Sequence, residues 1–252
     1  MGAPLYGHWL PVDISTHGPL IDRLFNVMHV FMAVLFVGWF AFFVFTLVKF
    51  RSRPGHKAVY APKHTKFSTY LEVSIALFEA AVLLFLAIPA WNYAKASVPK
   101  AQNVLPIHVI AEQFAWNIHY AGDDGKFGRT KPDLITTENP IGLDPSDPAA
   151  KDDLTTINQL HFPVHRPVVI HLSSKDVIHS FSIPVLRVKQ DVVPGMMLPV
   201  WFEAMQTGNF EIACAQLCGL GHYRMKGFVT VETEEQFSTW LKEQRAESEE
   251  GN

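Results

Sequence analysis

The chain has 252 residues, 48% of them hydrophobic, with a formal net charge of −3. That length carries one sizeable domain plus further elements. Residues 1–99 hold eight Lys/Arg and four Asp/Glu, a balance of +4, whereas residues 100–252 hold thirteen and twenty, a balance of −7. An acidic C-terminal part does not suit nucleic acid and steers basic partners instead. Two cysteines make no disulfide framework, and without a CxxCH there is no attachment site for a c-type haem.

Leu24 to Val48 contains no charged side chain over 25 residues. This exceeds the roughly 20 needed to cross a bilayer core. The run is too long and starts too late for a cleaved signal peptide, and no small-residue cleavage site follows it. A second apolar stretch, Val73 to Ala94, is interrupted only by Glu79 and ends in Pro89, Trp91 and Tyr93, residues that suit a membrane interface. The expectation is a transmembrane hairpin within residues 1–99, with helices at about 24–50 and 70–95. The connection carries Lys49, Arg51, Arg53, Lys57, Lys63 and Lys66 and no acid. Positive loops stay in the cytoplasm, so both termini and residues 100–252 are expected on the periplasmic side of an inner membrane.

After Lys100 the pattern changes to short alternating runs. Ile107–Ala111, Phe114–Tyr120, Val168–Leu172, Ser180–Val185, Met197–Phe202, Gly208–Cys214 and Gly227–Glu232 read as strands of an antiparallel sandwich or barrel. Residues 121–160, rich in Asp, Gly and Pro, read as a long surface insertion. A last helix is expected at about 234–246, capped by Thr233. His108, His119, His161, His165 and His171 are explained by strand alternation and receive no metal role.

The chemistry concentrates in CAQLCGLGHYRM, Cys214 to Met225. It offers two thiols four residues apart, an imidazole four further on and a thioether three beyond. Upstream, DVIHSF places His179 between two expected strands. Thiolate, imidazole and thioether together are a copper ligand set, whereas zinc has little use for Met. One Cys would suit a mononuclear site; two thiolates can bridge two copper ions, each with one His. A CxxxC disulfide is the competing reading, although so short a loop stabilises little.

These residues give the sequence its resemblance to a family. CAQLCGLGHYRM and DVIHSFSIPVLRVKQDVVPG, Asp176 to Gly195, resemble subunit II of the haem–copper respiratory oxidases of the cytochrome c oxidase type. The likeness covers nearly the whole chain. It implies a two-helix transmembrane hairpin followed by an all-β cupredoxin-like (Greek-key) domain. It also implies a binuclear copper centre, CuA, on His179, Cys214, Cys218, His222, Met225 and the backbone oxygen of Gln216. The implied function is to take electrons from cytochrome c, or from a cytochrome domain of a neighbouring complex, and pass them to haem in subunit I. Oxygen is reduced there, with proton translocation. Subunit III and membrane lipid are further implied partners. Alternatives are the equivalent subunit of a nitric oxide reductase and a non-catalytic copper-binding or assembly protein.

Three positions depart from the family pattern. Gln216 stands where many relatives carry a Glu that also binds magnesium or manganese at the subunit I border, which puts that ion in doubt. Phe114, in EQFAW, stands where relatives have an exposed Trp that receives the electron, so Trp116 or Tyr223 is expected to share that task. Glu72 matches a Glu at the mouth of a proton-uptake channel, and Glu79 lies seven residues deeper on the same helix face. An acid there is expected to face subunit I or a polar cavity rather than lipid.

Overall fold

The computed structural model describes residues 10–55, 57, 66–99 and 103–250. Lys63 of the basic connection lies outside the described residues. The chain divides into two units: Leu20–Asn92 on the one hand, Met1–Pro19 with Tyr93–Asn252 on the other.

The first unit is the helical hairpin. Helix α1 spans Gly18–Lys49 and helix α2 spans Lys66–Ala96, both long and apolar enough to cross a membrane. Both are longer than the sequence suggested because polar residues at their ends continue the helix. Phe31 and Phe78, with ring centres 4.2 Å apart, hold the two together. α2 widens into π-helical turns at Leu83–Ala87 and Asn92–Ala96. Pro89 accounts for the first: it has no N–H to donate, and its ring would press on a carbonyl one turn earlier.

The second unit is a sandwich of two five-stranded sheets. One sheet has the order β3 (Leu154–Ile157), β2 (Ala115–Tyr120), β1 (Leu105–Glu112), β5 (Val168–Ser174), β8 (Leu198–Phe202). The other runs β4 (Gln159–Pro163), β10 (Lys226–Glu232), β9 (Gly208–Cys214), β6 (His179–Ile183), β7 (Val188–Val192). Alternate residues turn inward. Ile107, Val109, Ile118, Ile170 and Leu172 of the first sheet and Phe162, Phe181, Ile212 and Val229 of the second are fully buried and form the shared core.

Four expectations need correction. The sandwich is mixed rather than antiparallel, because β1 runs parallel to β5 and β10 parallel to β4. The insertion ends at Asp153 instead of residue 160: Leu154–Ile157 adds an edge strand and Gln159 opens β4. The segment before α1 belongs with the sandwich, since Ile14 N–H donates to the Val185 carbonyl, Met205 N–H donates to the Ile14 carbonyl and the Ile14 side chain sits in the core. The last helix, α3, runs Glu234–Glu250. Its capping is as expected: Gln236 N–H donates to Thr233 Oγ1 while Thr233 N–H donates to Gln236 Oε1, a reciprocal capping box.

Candidate metal centre

The candidate donors hang from the ends of neighbouring strands in the second sheet. β6 and β9 pair antiparallel, with Phe181 opposite Cys214. This puts His179, the first residue of β6, beside the chain leaving Cys214, the last residue of β9. The loop then returns so that Met225 stands against Cys214, whose N–H donates to the Met225 carbonyl. Cys218 and His222 lie within that excursion, and a 3-10 turn at His222–Arg224 closes it.

Their donor atoms converge. Cys214 Sγ is 3.7 Å from Cys218 Sγ and 3.2 Å from the Gln216 carbonyl oxygen. Cys218 Sγ is also 3.7 Å from His222 Nδ1 and 3.7 Å from Met225 Sδ. His179, Cys214 and Cys218 offer ligand atoms all within 4.8 Å of one another. The sulfur separation is far above the roughly 2.05 Å of a disulfide, and both cysteines are free.

His179 tests whether a metal fits. Its Nε2 is hydrogen-bonded to Asp176 Oδ1 at 2.8 Å, while its Nδ1 is buried without a partner. A carboxylate on one ring nitrogen and a bare, desolvated second nitrogen is the arrangement of a metal-binding imidazole. Asp176 is itself fixed by the N–H groups of Gln113 and Val177. Burial pushes the Asp176 carboxyl up, but the bond to His179 and these backbone donors outweigh it and hold it below its ordinary range. Burial, then the neighbouring Cys214, pushes the Cys218 thiol up to about 11. A thiol buried as Cys218 is resists ionising unless a cation arrives, and a metal cation reverses that preference.

The β1–β2 turn supports the loop from below. Gln113 Nε2 donates to the Cys218 carbonyl at 2.6 Å. The Phe114 ring lies under the two glycines, and a Cβ on Gly221 would fall 2.4 Å from its Cδ2. Gly219 has φ +135°, a conformation open to glycine, and Arg224 lies over the same ring at 5.9 Å. Sequence reasoning missed Gln113 and Asp176. The carboxylate three residues before His179 in DVIHSF was the available signal for Asp176; Gln113 acts through a contact that no local pattern reveals.

The three electron-accepting candidates separate. Trp116 is 0% exposed, packed 5.4 Å from Phe181 and 6.2 Å from His179 by ring centres. It therefore presents no surface of its own to a donor. Phe114 is partly buried, whereas Tyr223 is 86% exposed. Two loop residues unremarked in the sequence, Leu217 and Leu220, are 83% and 98% exposed. The loop thus buries Cys218 and Met225 while presenting Leu217, Leu220 and Tyr223 outward. Gln216 also has its side chain exposed. In the hairpin, Glu72 is exposed, and Glu79 lines a cavity of about 440 Å³ shared with His29, Met28, Met32 and Phe78.

Residues 105–232 match the family described as cytochrome c oxidase subunit II, periplasmic domain. The chain is 32% identical over 242 residues to the alternative cytochrome c oxidase subunit 2 of Bradyrhizobium diazoefficiens, covering 96% of this chain and 86% of that one. It is 28% identical over 246 residues to cytochrome c oxidase subunit 2 of Alkalihalophilus pseudofirmus, covering 94% of this chain and 63% of that longer one. Among solved structures it is similar to the periplasmic domain of subunit II of cytochrome oxidase of Bradyrhizobium japonicum. That match has 29% identity, a TM-score of 0.44, and covers 60% of this chain and 98% of the other. From its matched β-domain and its near full-length relative, the chain belongs to the cytochrome c oxidase subunit II family.

Proposed function

We propose that this chain is the electron-accepting subunit of a terminal oxidase, with a binuclear copper centre held by His179, Cys214, Cys218, His222, Met225 and the Gln216 carbonyl. The observation that carries this reading is the pair of free thiols 3.7 Å apart, next to an orphaned buried Nδ1 on His179. Bound there, copper supplies one-electron redox chemistry. The protein's own residues hold the donors in place: Asp176 orients His179, and Gln113 fixes the Cys218 carbonyl. Burial of Cys218, Met225 and His179 keeps water from those two sulfurs and from the imidazole. A donor set that is already converged needs little rearrangement when charge changes, and this favours fast transfer.

Leu217, Leu220 and Tyr223 form the apolar face on which a donor such as cytochrome c docks, and the acidic domain steers a basic donor to it. Trp116 serves from the interior, between the β1–β2 turn and His179. Electrons then pass to haem in a partner subunit I, where oxygen is the acceptor. The basic connection at Lys49–Lys57 favours a cytoplasmic loop and a periplasmic copper domain in an inner membrane. Glu72 and Glu79 contribute to proton uptake. The neutral amide of Gln216 weakens any magnesium or manganese site at the subunit border.

Electron paramagnetic resonance of the copper-loaded protein tests the centre. One electron shared by two equivalent copper nuclei gives a seven-line pattern, and one copper gives four. A four-line spectrum, or none with an intact disulfide, would overturn the binuclear reading. Stopped-flow oxidation of reduced cytochrome c tests the docking face: Tyr223→Ala and Leu220→Ala should slow it more than Trp116→Phe. Turnover of the assembled complex with oxygen and with nitric oxide decides between an oxidase and a nitric oxide reductase.

A further inference from the structure

The hairpin carries a groove that the copper chemistry does not use. Gly38, Trp39 and Phe42 of α1 and Phe67, Ser68 and Leu71 of α2 line a cavity of about 490 Å³. That volume falls in the range of about 300–1,000 Å³ typical of small-molecule sites. Gly38 makes room for it, since a Cβ there would meet nothing within 4 Å. Trp39 and Phe42, with ring centres 6.0 Å apart and edge to face, form one wall. The lining is apolar apart from the Ser68 hydroxyl and the Trp39 indole N–H, and Trp39, Phe42, Phe67 and Leu71 are all exposed.

The rim of this groove is basic. Lys49 closes α1 and Lys66 opens α2. The chain between them adds Arg51, Arg53 and Lys57, and it holds no acid from residue 49 to residue 66. Lys49 Nζ lies 5.0 Å from the Phe45 ring centre and 5.8 Å from that of Phe50. The ammonium is thus held at the rim while its stem runs along apolar surface. At 1.5 Å per residue, Gly38 lies about 16 Å below Lys49, and Ile75, at the groove's inner end, about 14 Å below Lys66. Half of a hydrocarbon core of roughly 30 Å is about 15 Å. The groove is therefore as deep as one leaflet, with its cations at headgroup level.

We propose that this groove is a binding site for an anionic diacyl phospholipid. One acyl chain lies over Gly38, between Trp39 and Phe42 on one side and Phe67 and Leu71 on the other. The phosphate sits among the cations at Lys49 and Lys66, and Ser68, two residues inside Lys66, stands at the level of the ester groups. Basic clusters at the end of transmembrane helices attract anionic headgroups, and here an apolar trough for the chain lies directly beneath one. A transmembrane helix of a partner would fill the trough yet leave the rim without counter-charge. The site requires only that the hairpin crosses a membrane, and nothing at the copper centre.

Bromine on an acyl chain quenches indole fluorescence by contact, and Trp39 is the indole that lines the groove. The full chain in dodecyl maltoside is titrated with phosphatidylglycerol brominated on one acyl chain, and separately with phosphatidylcholine brominated in the same way. The Trp39 signal is the difference between the parent and Trp39→Phe. Phosphatidylglycerol should quench it at a mole fraction at least about tenfold lower than phosphatidylcholine. Lys49→Gln and Lys66→Gln should each cut that preference about fivefold, the share of one surface cation. Gly38→Phe puts a ring into open space, so it should leave the circular dichroism spectrum unchanged and raise severalfold the fraction of either lipid needed. Equal quenching by the two lipids, or a Gly38→Phe chain quenched like the parent, overturns the proposal. So does phosphatidylglycerol that quenches Trp39 in the isolated chain but not in the assembled complex, since a partner helix then fills the trough. Absence of Trp39 quenching by either lipid would refute the membrane-spanning reading itself, and the site with it.

Discussion

Gly221→Ala in the metal loop probes how firmly the β1–β2 turn supports it. The backbone at Gly221, φ −92° and ψ 8°, admits alanine, so any cost comes from the added methyl. That methyl would lie 2.4, 2.6 and 2.7 Å from Cδ2, Cε2 and Cγ of Phe114. Carbon atoms rest about 3.5–4.0 Å apart. The ring or the loop must therefore give by roughly 1 Å. Overpacking of this kind costs about 1–3 kcal/mol. Phe114→Ala alone should cost about 2–3 kcal/mol, below the full core value because the ring is only partly buried. In the double variant the methyl enters the space the ring has left, so Gly221→Ala should then cost under about 0.5 kcal/mol, leaving a coupling of about 0.5–3 kcal/mol. Urea unfolding of the four proteins, read by circular dichroism, measures this. Equal costs of Gly221→Ala with and without Phe114 would refute the packing argument.

Three further expectations follow from single contacts. Asp176→Asn removes the charge behind His179 and should lower copper affinity about 10–100-fold, read by competition with a chelator. Thr233→Ala breaks the capping box of the helix that seats Phe237 and Trp240 beside Tyr120, and should cost about 1 kcal/mol in urea unfolding. His17 is buried beside Trp201, and burial lowers its pKa below the ordinary 6.5. The folded state therefore prefers neutral His17, so its contribution is fully present above about pH 6.5 and is lost as the pH falls from there through the lowered folded value. Against a His17→Phe variant, the parent should lose more stability between about pH 8 and pH 5; parallel curves would exclude the effect.

The hairpin was legible because a 25-residue run without charge has few other uses. The copper-type donors were legible because their residue types are rare together and lie close in the chain. What escaped depends on pairing between distant strands. β7, VKQDV, buries only Val188 and Val192, and its three polar residues read as a loop. β3, LTTI, follows two aspartates and is a strand because it pairs with β2. The segment before α1 docks through backbone bonds, which leave no signature in side-chain type. The burial of Trp116 has a related cause: an aromatic in a strand faces either side, and register decides which.

On the proposed copper reading, Cys218 explains how the loop would hold its metal with little motion. Its carbonyl is fixed by Gln113, from the other sheet, and its sulfur lies 3.7 Å from each of Cys214, His222 and Met225. Backbone and side chain are thus anchored by different parts of the fold. Cys214 and Met225 are locked to each other where β9 and β10 meet, and His179 is locked by Asp176 from the β5–β6 turn. Each donor therefore owes its place to an element that a change of metal charge does not touch. The residues left free to vary, Leu217, Leu220 and Tyr223, point outward from the same loop. A partner can press on that face and reshape it while the sulfurs stay where the strands put them. Substitutions there should alter how fast a donor is oxidised and leave the copper spectrum unchanged, whereas substitutions at Gln113 should alter the spectrum first.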